Sequence, residues 1–341
     1  MLRLPRFRME IPATAPEAAA MLRALGAHEE DPATLGTPRL HVMAVAGGTD
    51  VYPNMKRRQF TPETLVSLRR ALSAEIGVNG EARIGGGATL AAVAEHPGLR
   101  ARYRALAMAA ELVSTPQLRN MGTIGGNLCL DTRCNWYDES LFWRTAEGYC
   151  MKTHPSVVCR VATSSPRCLA VASADTVPAL IALGAQARVV SEDGERLVPV
   201  ADLYRDDGMR YLAIRGDEIV TAVLLPKADG WRSTYLKLRD RGSFDFPIVG
   251  LAAAVKWDGG RVADARVALT AVASRPILVE AAGAALAGTA LEEDAVAAAA
   301  EACFKAARPM DNTSGTIAQR KRTVSVFAGR ALRELRQGDP S

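Results

Sequence analysis

The stretch "AVAGGTD", residues 44–50, places paired glycines directly after an apolar run. The run Leu40–Val45 predicts a buried strand, which ends at Gly47-Gly48. Paired glycines let the backbone come close to a ligand, and consecutive N–H groups can form a nest for phosphate oxygens. The alternative is a simple tight turn, since glycine pairs are common between secondary-structure elements.

A second glycine loop, "MGTIGGN" at residues 121–127, follows a predicted helix and a polar turn. Thr49, Thr123 and Asn127 can add side-chain hydrogen bonds to a ligand held by the two loops. The sequence contains neither G-x-G-x-x-G nor G-x-x-x-x-G-K-[ST]. A dinucleotide bound at these loops would therefore be held by a fold other than the Rossmann or P-loop types.

Cysteines form the second unusual pattern, because five of the six lie between Cys129 and Cys168. No C-x-x-C pair is present, which argues against a zinc ribbon and a c-type haem site. Four widely spaced thiolates can still converge on one [4Fe–4S] cluster if the segment folds around it. The clustered candidates for that role are Cys129, Cys134, Cys150, Cys159 and Cys168.

The same segment carries a local excess of aromatic side chains, which suits the apolar cover of a cluster. These residues are Trp136, Tyr137, Phe142, Trp143 and Tyr149. The alternative is that the cysteines are small buried hydrophobic residues, which is the expected role of Cys303 on a helix. His154 is expected at the surface, and the four histidines suggest no catalytic group.

Composition and charge narrow the class of protein. The chain has 341 residues, 48% hydrophobic and 23% charged, which predicts two or three units of a soluble globular protein. The net charge of +5 is dispersed, so nucleic-acid binding is not expected. No signal peptide or membrane span is predicted, and the expected location is cytoplasmic. In that reducing compartment, clustered cysteines favour metal or redox chemistry over disulfides.

The order of predicted elements is typical of an α+β fold in three regions. The first region, 1–55, holds a helix capped by Thr14 and the strand before the first glycine loop. The second, 56–229, includes a strand pair turning at Asp193-Gly194. The third, 230–341, begins with antiparallel strands and closes with helices at about 277–307 and 316–336.

Taken together, the motifs resemble one family, the FAD-binding medium subunits of the xanthine oxidase/carbon monoxide dehydrogenase group of molybdenum hydroxylases. Those motifs are "AVAGGTDVYP", "RIGGGATLAAV", "TPQLRNMGTIGGNL", "DTVPALIALGA", "DEIVTAVLLP" and "YLKLRDRGSFDFPIVG". The resemblance implies a two-part FAD-binding domain of the PCMH/vanillyl-alcohol-oxidase type, with subdomains 1–55 and 56–229. A smaller α+β domain of antiparallel sheet and helices, 230–341, would follow.

The resemblance also implies roles for individual residues. The first loop would bind the FAD pyrophosphate, and the second would surround the diphosphate and ribityl chain. Asp175 would bond a ribose or ribityl hydroxyl, and Lys237 would lie near the flavin or its phosphate. The implied FAD site consists of Val45, Ala46, Gly47, Gly48, Thr49, Asp50, Thr115, Gly122, Thr123, Gly125, Gly126, Asn127, Asp175 and Lys237.

The cysteine-rich insertion, at about 129–168, resembles that of the beta subunit of 4-hydroxybenzoyl-CoA reductases. There, four cysteines hold a [4Fe–4S] cluster, a role that passes to Cys134, Cys150, Cys159 and Cys168 here. Cys129 would pack near the flavin instead. An aldehyde oxidoreductase FAD subunit has a comparable insertion with different cysteine spacing.

This resemblance implies an electron-transfer subunit of a molybdenum enzyme that removes a phenolic hydroxyl from an aromatic acyl-CoA. A ferredoxin-like donor would reduce the cluster, and electrons would pass through FAD to a small subunit with two [2Fe–2S] clusters. A large subunit would carry the molybdenum cofactor. The alternatives are an aldehyde or heterocycle hydroxylase with outward electron flow, a zinc-stabilised binding protein without redox function, and a flavoenzyme acting alone.

Overall fold

A computed structural model describes residues 2–27, 41–154 and 156–337. Its strands form three separate sheets, which are connected and covered by mostly short helices. The strands are β1 (Arg8–Glu10), β2 (Val42–Val45), β3 (Thr64–Ser67), β4 (Ile76–Asn79), β5 (Glu81–Gly85), β6 (Gln186–Ser191), β7 (Gly194–Pro199), β8 (Ile219–Leu225), β9 (Trp231–Leu238), β10 (Val249–Asp258), β11 (Arg261–Thr270) and β12 (Ile277–Leu278).

Twelve α-helices lie in the described ranges, together with a 3₁₀ turn at Val200–Leu203. They are α1 (Ala15–Ala24), α2 (Val51–Lys56), α3 (Leu90–Glu95), α4 (Pro97–Arg102), α5 (Arg104–Glu111), α6 (Pro116–Arg119), α7 (Ile124–Leu128), α8 (Leu141–Ala146), α9 (Thr176–Ala182), α10 (Glu280–Leu286), α11 (Glu293–Ala306) and α12 (Ile317–Gln337). No helix in these ranges combines the length and apolarity needed to cross a bilayer.

The first sheet is parallel and small, with β3 between β1 and β2. Helix α1 packs on it through Ala18, Ala19 and Leu22, and the predicted cap is confirmed because the Thr14 side chain accepts a hydrogen bond from Glu17 N. The predicted strand before the first glycine loop is β2, and its predicted start at Leu40 lies outside the described residues. The sheet thus delivers the glycine loop from the end of a buried strand.

The second sheet is antiparallel, in the order β4-β5-β8-β6-β7. Strands β6 and β7 form the predicted hairpin at Asp193-Gly194. Helices α3, α5, α7 and α9 contribute to its main apolar core, in which Leu106, Ile124 and Leu180 are fully buried. The segment 115–128, expected to be a turn-rich loop, instead contains α6 and α7, because Thr115 and Thr123 cap two short helices.

The third sheet is antiparallel, in the order β12-β11-β10-β9, and side chains of β10 alternate between two cores. Leu251 and Val255 pack beneath α10, α11 and α12, whereas Ala252 and Ala254 join the core of the second sheet. The expected helix at about 277–307 is wrong as one element: it comprises β12, α10 and α11. The break carries Gly288 and Leu291 at positive φ, which a continuous helix excludes.

Candidate FAD and cysteine sites

A cleft of about 190 Å³ lies where the loop after β2 meets the α6–α7 segment. A Cβ on Gly47 would stand 2.0 Å from the carbonyl oxygen of Met121, so only glycine lets the two glycine loops touch. Gly48 has φ +72°, and a Cβ there would also meet the ring of Tyr52. Both glycines are therefore required by the geometry of the cleft.

Most of the residues assigned to FAD from the sequence line this cleft. They are Ala46, Gly47, Gly48, Thr49, Asp50, Gly122, Thr123, Gly126, Asn127 and Asp175. Val45 is buried in β2, and Gly125 packs against the backbone of Gly86. Thr115 caps α6 by accepting a hydrogen bond from Leu118 N. These residues and Lys237 are not among the residues that line the cleft.

Asp175 is held by two side chains that come from β9. Tyr235 donates a hydrogen bond to Oδ1 of Asp175 at 2.8 Å, and Nζ of Lys237 donates to Oδ2 at 3.0 Å. Burial raises the pKa of Asp175, and Lys237 opposes that rise; burial also lowers the pKa of Lys237. The carboxyl is thus fixed in orientation while it forms part of the cleft wall.

Residues Phe244, Asp245 and Phe246 also line the cleft, although their sequence motif predicted no site role for them. They lie on the connection between β9 and β10, and Phe244 N donates to the carbonyl of Ser114 at 3.0 Å. Ser114 and Phe244 both adopt positive φ, of 45° and 74°. Because non-glycine residues rarely adopt positive φ, the contact between Ser114 and Phe244 is locally strained and is held in place by the surrounding packing.

Cys134, Cys150, Cys159 and Cys168 line one small cavity and are all buried. None forms a disulfide, and the cavity walls also include Trp136, Tyr137 and Lys152. Burial raises the pKa of Cys134 to about 12 and that of Cys168 to about 11. The segment therefore brings together the four predicted thiols.

The donor set of this cavity is four thiols. Thiolates are soft ligands that suit zinc or an iron–sulfur cluster and not magnesium or calcium. No group of three or more His, Cys, Asp or Glu side chains is placed to hold a single metal ion within the described ranges. Each corner iron of a cubane [4Fe–4S] cluster requires one thiolate, so the residues present fit that group in type and number.

Arg133 connects the two sites. It forms an ion pair with Asp50, which lines the cleft, and Nη1 lies 3.3 Å from Oδ1 of Asp138. Its neighbour Cys134 faces the cysteine cavity, and Cys129 of the same segment lines the cleft. The backbone of Arg133 pairs with Val171 as an isolated antiparallel bridge. Residues 129–134 of the cysteine segment therefore contribute to both sites.

Comparisons with known proteins agree with this architecture. The family model for the FAD binding domain in molybdopterin dehydrogenase matches residues 5–228. The CO dehydrogenase flavoprotein C-terminal domain matches residues 233–335. The chain is 31% identical to the aldehyde oxidoreductase FAD-binding subunit PaoB of Escherichia coli K12, over 83% of this chain and 90% of that one.

Carbon monoxide dehydrogenases give similar matches. The medium chain from Hydrogenophaga pseudoflava is 27% identical over 96% of each chain. A structure of reconstituted CO dehydrogenase from Oligotropha carboxidovorans aligns with TM-score 0.76 and 26% identity, covering 98% of this chain and 99% of that one. The predicted α+β fold, with an FAD-binding domain and a C-terminal domain on an antiparallel sheet, is confirmed. The chain belongs to the FAD-binding medium subunits of the xanthine oxidase/carbon monoxide dehydrogenase family of oxidoreductases.

Proposed function

We propose that this chain is the electron-transfer subunit of a molybdenum hydroxylase and that it carries a [4Fe–4S] cluster in addition to FAD. The proposal rests on one observation: Arg133 pairs with Asp50 of the glycine-loop cleft and is the sequence neighbour of Cys134, which lines the four-cysteine cavity. When bound, FAD exchanges electrons in pairs or singly and the cluster exchanges one at a time, so neighbouring sites would suit a relay.

In the proposed FAD site, the residues 45–50 loop holds the pyrophosphate through backbone N–H groups. The second loop, with Thr115 behind it, surrounds the diphosphate and ribityl chain. Asp175 accepts a hydrogen bond from a ribose or ribityl hydroxyl, since the orientation of its carboxylate is already fixed by Tyr235 and Lys237. Lys237 acts through Asp175, because its Nζ is engaged with that carboxylate and with the carbonyl of Leu112.

In the proposed cluster site, Cys134, Cys150, Cys159 and Cys168 each supply one thiolate. Ala170 N lies 3.5 Å from Sγ of Cys168, a hydrogen bond of the kind that tunes sulfur ligands. Apolar cover comes from Trp136, Tyr137 and Ala170. The raised thiol pKa values mean that metal binding, which needs thiolates, must release protons at neutral pH.

The relatives favour a hydroxylase over the reductive dehydroxylation of an aromatic acyl-CoA that the insertion suggested. Their names describe an aldehyde oxidoreductase, carbon monoxide dehydrogenases and a nicotinate dehydrogenase. Closeness to 4-hydroxybenzoyl-CoA reductase stays a prediction based on the cysteine segment alone. We therefore propose that the complex oxidises an aldehyde or a nitrogen heterocycle and that electrons leave through this subunit.

The names "medium chain" and "medium subunit" of several relatives support an assembly with larger and smaller partners. We propose a large subunit with the molybdenum cofactor, a small subunit with two [2Fe–2S] clusters, and a ferredoxin-like protein that exchanges electrons with the cluster. The same proposal includes a cytoplasmic location and domain boundaries at about residues 55 and 229.

Metal and flavin analysis of anaerobically purified complex tests these assignments. We expect one FAD and about four iron atoms attributable to this chain. Cys150→Ser should lose that iron and keep FAD, whereas Cys303→Ser, buried in the C-terminal core, should keep both. Iron content unchanged by Cys150→Ser would reject the ligand set, and zinc in its place would reject the cluster. Oxidation of the reduced flavin by a hydroxylated aromatic acyl-CoA, with no flavin reduction by aldehydes or heterocycles, would reverse the choice of reaction.

A further inference from the structure

Lys152 is a buried cation on the wall of the cysteine cavity. It lies between Cys150 and Cys159 in sequence, is only 8% exposed, and lines the cavity with all four thiols. A lysine is rarely buried to this degree without partners. Its position therefore requires an explanation from its contacts.

The ammonium group is held from several directions. Nζ lies 2.6 Å from Oδ1 of Asp131 and 2.8 Å from the carbonyl oxygen of Gly208. The ring centroids of Tyr137 and Tyr211 lie 4.6 and 5.5 Å from it. These contacts fix the charge at one place and prevent it from extending into solvent.

The Asp131 carboxylate is held in one orientation, because each of its two oxygens has a hydrogen-bond partner. The second carboxylate oxygen, Oδ2, accepts a hydrogen bond from the hydroxyl of Tyr137 at 3.0 Å. Asp131 is not among the residues that line the cavity, whereas Lys152 is. Of the two partners of this ion pair, the cationic residue is therefore the one in the cavity wall with the four thiols.

A fixed positive charge next to a buried redox group favours the more negative oxidation state of that group. Four thiolates give a cubane cluster a net negative charge, and reduction adds one more. Burying such charge is unfavourable unless a compensating charge lies close by. Inside the protein the attraction is weakly screened, because the effective dielectric constant is well below that of water.

We infer that Lys152 is a positioning residue for electron transfer: its charge, held against the cysteine cavity by Asp131, raises the reduction potential of the cluster and stabilises the loaded site. This inference rests on the proposed cluster. The inference goes beyond the proposed cluster because it assigns a new role to Lys152. Although Lys152 is not a ligand, it would control how readily the cluster accepts an electron.

The test is a redox titration of the cluster in the purified complex, followed by electron paramagnetic resonance. Lys152→Met should lower the midpoint potential, and Lys152→Arg should leave it near the wild-type value. Lys152→Met combined with Asp131→Asn should reproduce the shift without leaving the carboxylate unpaired. Arg160→Gln is the matched control, because Arg160 also lines the cavity but is exposed and should be screened by solvent.

Equal potentials in wild type and both Lys152→Met variants would overturn the inference, as would an equal shift in Lys152→Arg or Arg160→Gln. Loss of iron in Lys152→Met but not in Lys152→Arg would support it, because charge would then be required for loading. Loss of iron in both would assign the effect to packing and overturn it. A wild-type complex in which no iron is attributable to this chain would instead reject the proposed cluster, and the inference with it.

Discussion

The guanidinium carbon of Arg133 lies 4.6 Å from the centroid of the Phe246 ring. Arg133 belongs to the cysteine segment, and Phe246 belongs to the β9–β10 connection that lines the cleft. The contact joins the FAD-binding domain, residues 5–228, to the C-terminal domain, residues 233–335, through a residue next to Cys134. A rearrangement of the cysteine segment would therefore change the position of a residue that lines the cleft.

Replacing Arg133 tests this connection. Arg133→Met removes the ion pair with Asp50, whose carboxylate remains in the cleft wall without that partner. We expect at least a tenfold loss of FAD affinity, about 1.4 kcal/mol, measured by flavin fluorescence during titration of deflavinated protein. Arg333→Met is the control, because its guanidinium is exposed and pairs with Glu293, and neither residue lines the cleft. Equal losses in both variants would contradict a specific role for Arg133.

The contact between the two glycine loops gives a second prediction. A Cβ at residue 47 would overlap the backbone of Met121, which cannot move without displacing the second loop. Gly47→Ala should therefore lower FAD occupancy markedly and reduce the thermal midpoint. Gly77→Ala adds the same methyl group where no atom lies within 4 Å and should change neither quantity. Full occupancy in Gly47→Ala, measured from the absorbance of the released flavin, would count against the proposed approach of the pyrophosphate.

Local sequence signals predicted much of the fold because several element ends depend on single residues. The cap at Thr14 and the hairpin at Asp193-Gly194 are examples. The break between α10 and α11 was not predicted, because the alanine-rich sequence on both sides of Leu291 favours helix. Tertiary packing determines that break: Leu291 is fully buried in the C-terminal core at a φ that no helix contains.

The site was predictable to a similar extent. Glycine pairs identified both loops, because close approach of backbone to backbone needs a residue without a side chain. Clustered cysteines identified the second cavity. Phe244 and Phe246 were missed because they reach the cleft only through the β9–β10 pairing, far away in sequence. Arg133 was missed because an arginine beside a cysteine has no sequence pattern that distinguishes a buried ion pair from a surface charge.

The C-terminal core offers a matched pair of valines on one helix. Val324 of α12 is fully buried against the third sheet, whereas Val326 is 43% exposed. Val324→Ala should lower the free energy of unfolding by about 1.5–3 kcal/mol, because it leaves a gap in the core, and Val326→Ala should have little effect. Urea unfolding followed by circular dichroism measures both. Equal effects would mean that α12 does not pack as described.

The loop carrying Phe244 gives a prediction for pH. Asp245 accepts hydrogen bonds from Arg241, from its backbone N at 2.8 Å and its Nε at 2.7 Å, and the guanidinium bond holds the pKa of the Asp245 carboxyl below its usual range. A depressed pKa in the folded state means that the stabilisation is present above the unfolded value of about 3.9 and disappears as the pH falls through the folded-state pKa.

Arg241→Gln should therefore lower the thermal midpoint slightly at about pH 7, with the difference from wild type shrinking as the pH falls below about 4. Asp245→Asn should show the same convergence, because it removes the titrating group itself. The double variant should match Asp245→Asn, since loss of the carboxylate already removes its interaction with the guanidinium. A difference between Arg241→Gln and wild type that stays constant from about pH 7 to about pH 3 would assign the effect to packing of the Arg241 side chain on the Phe244 ring, whose centroid lies 5.4 Å from the guanidinium carbon.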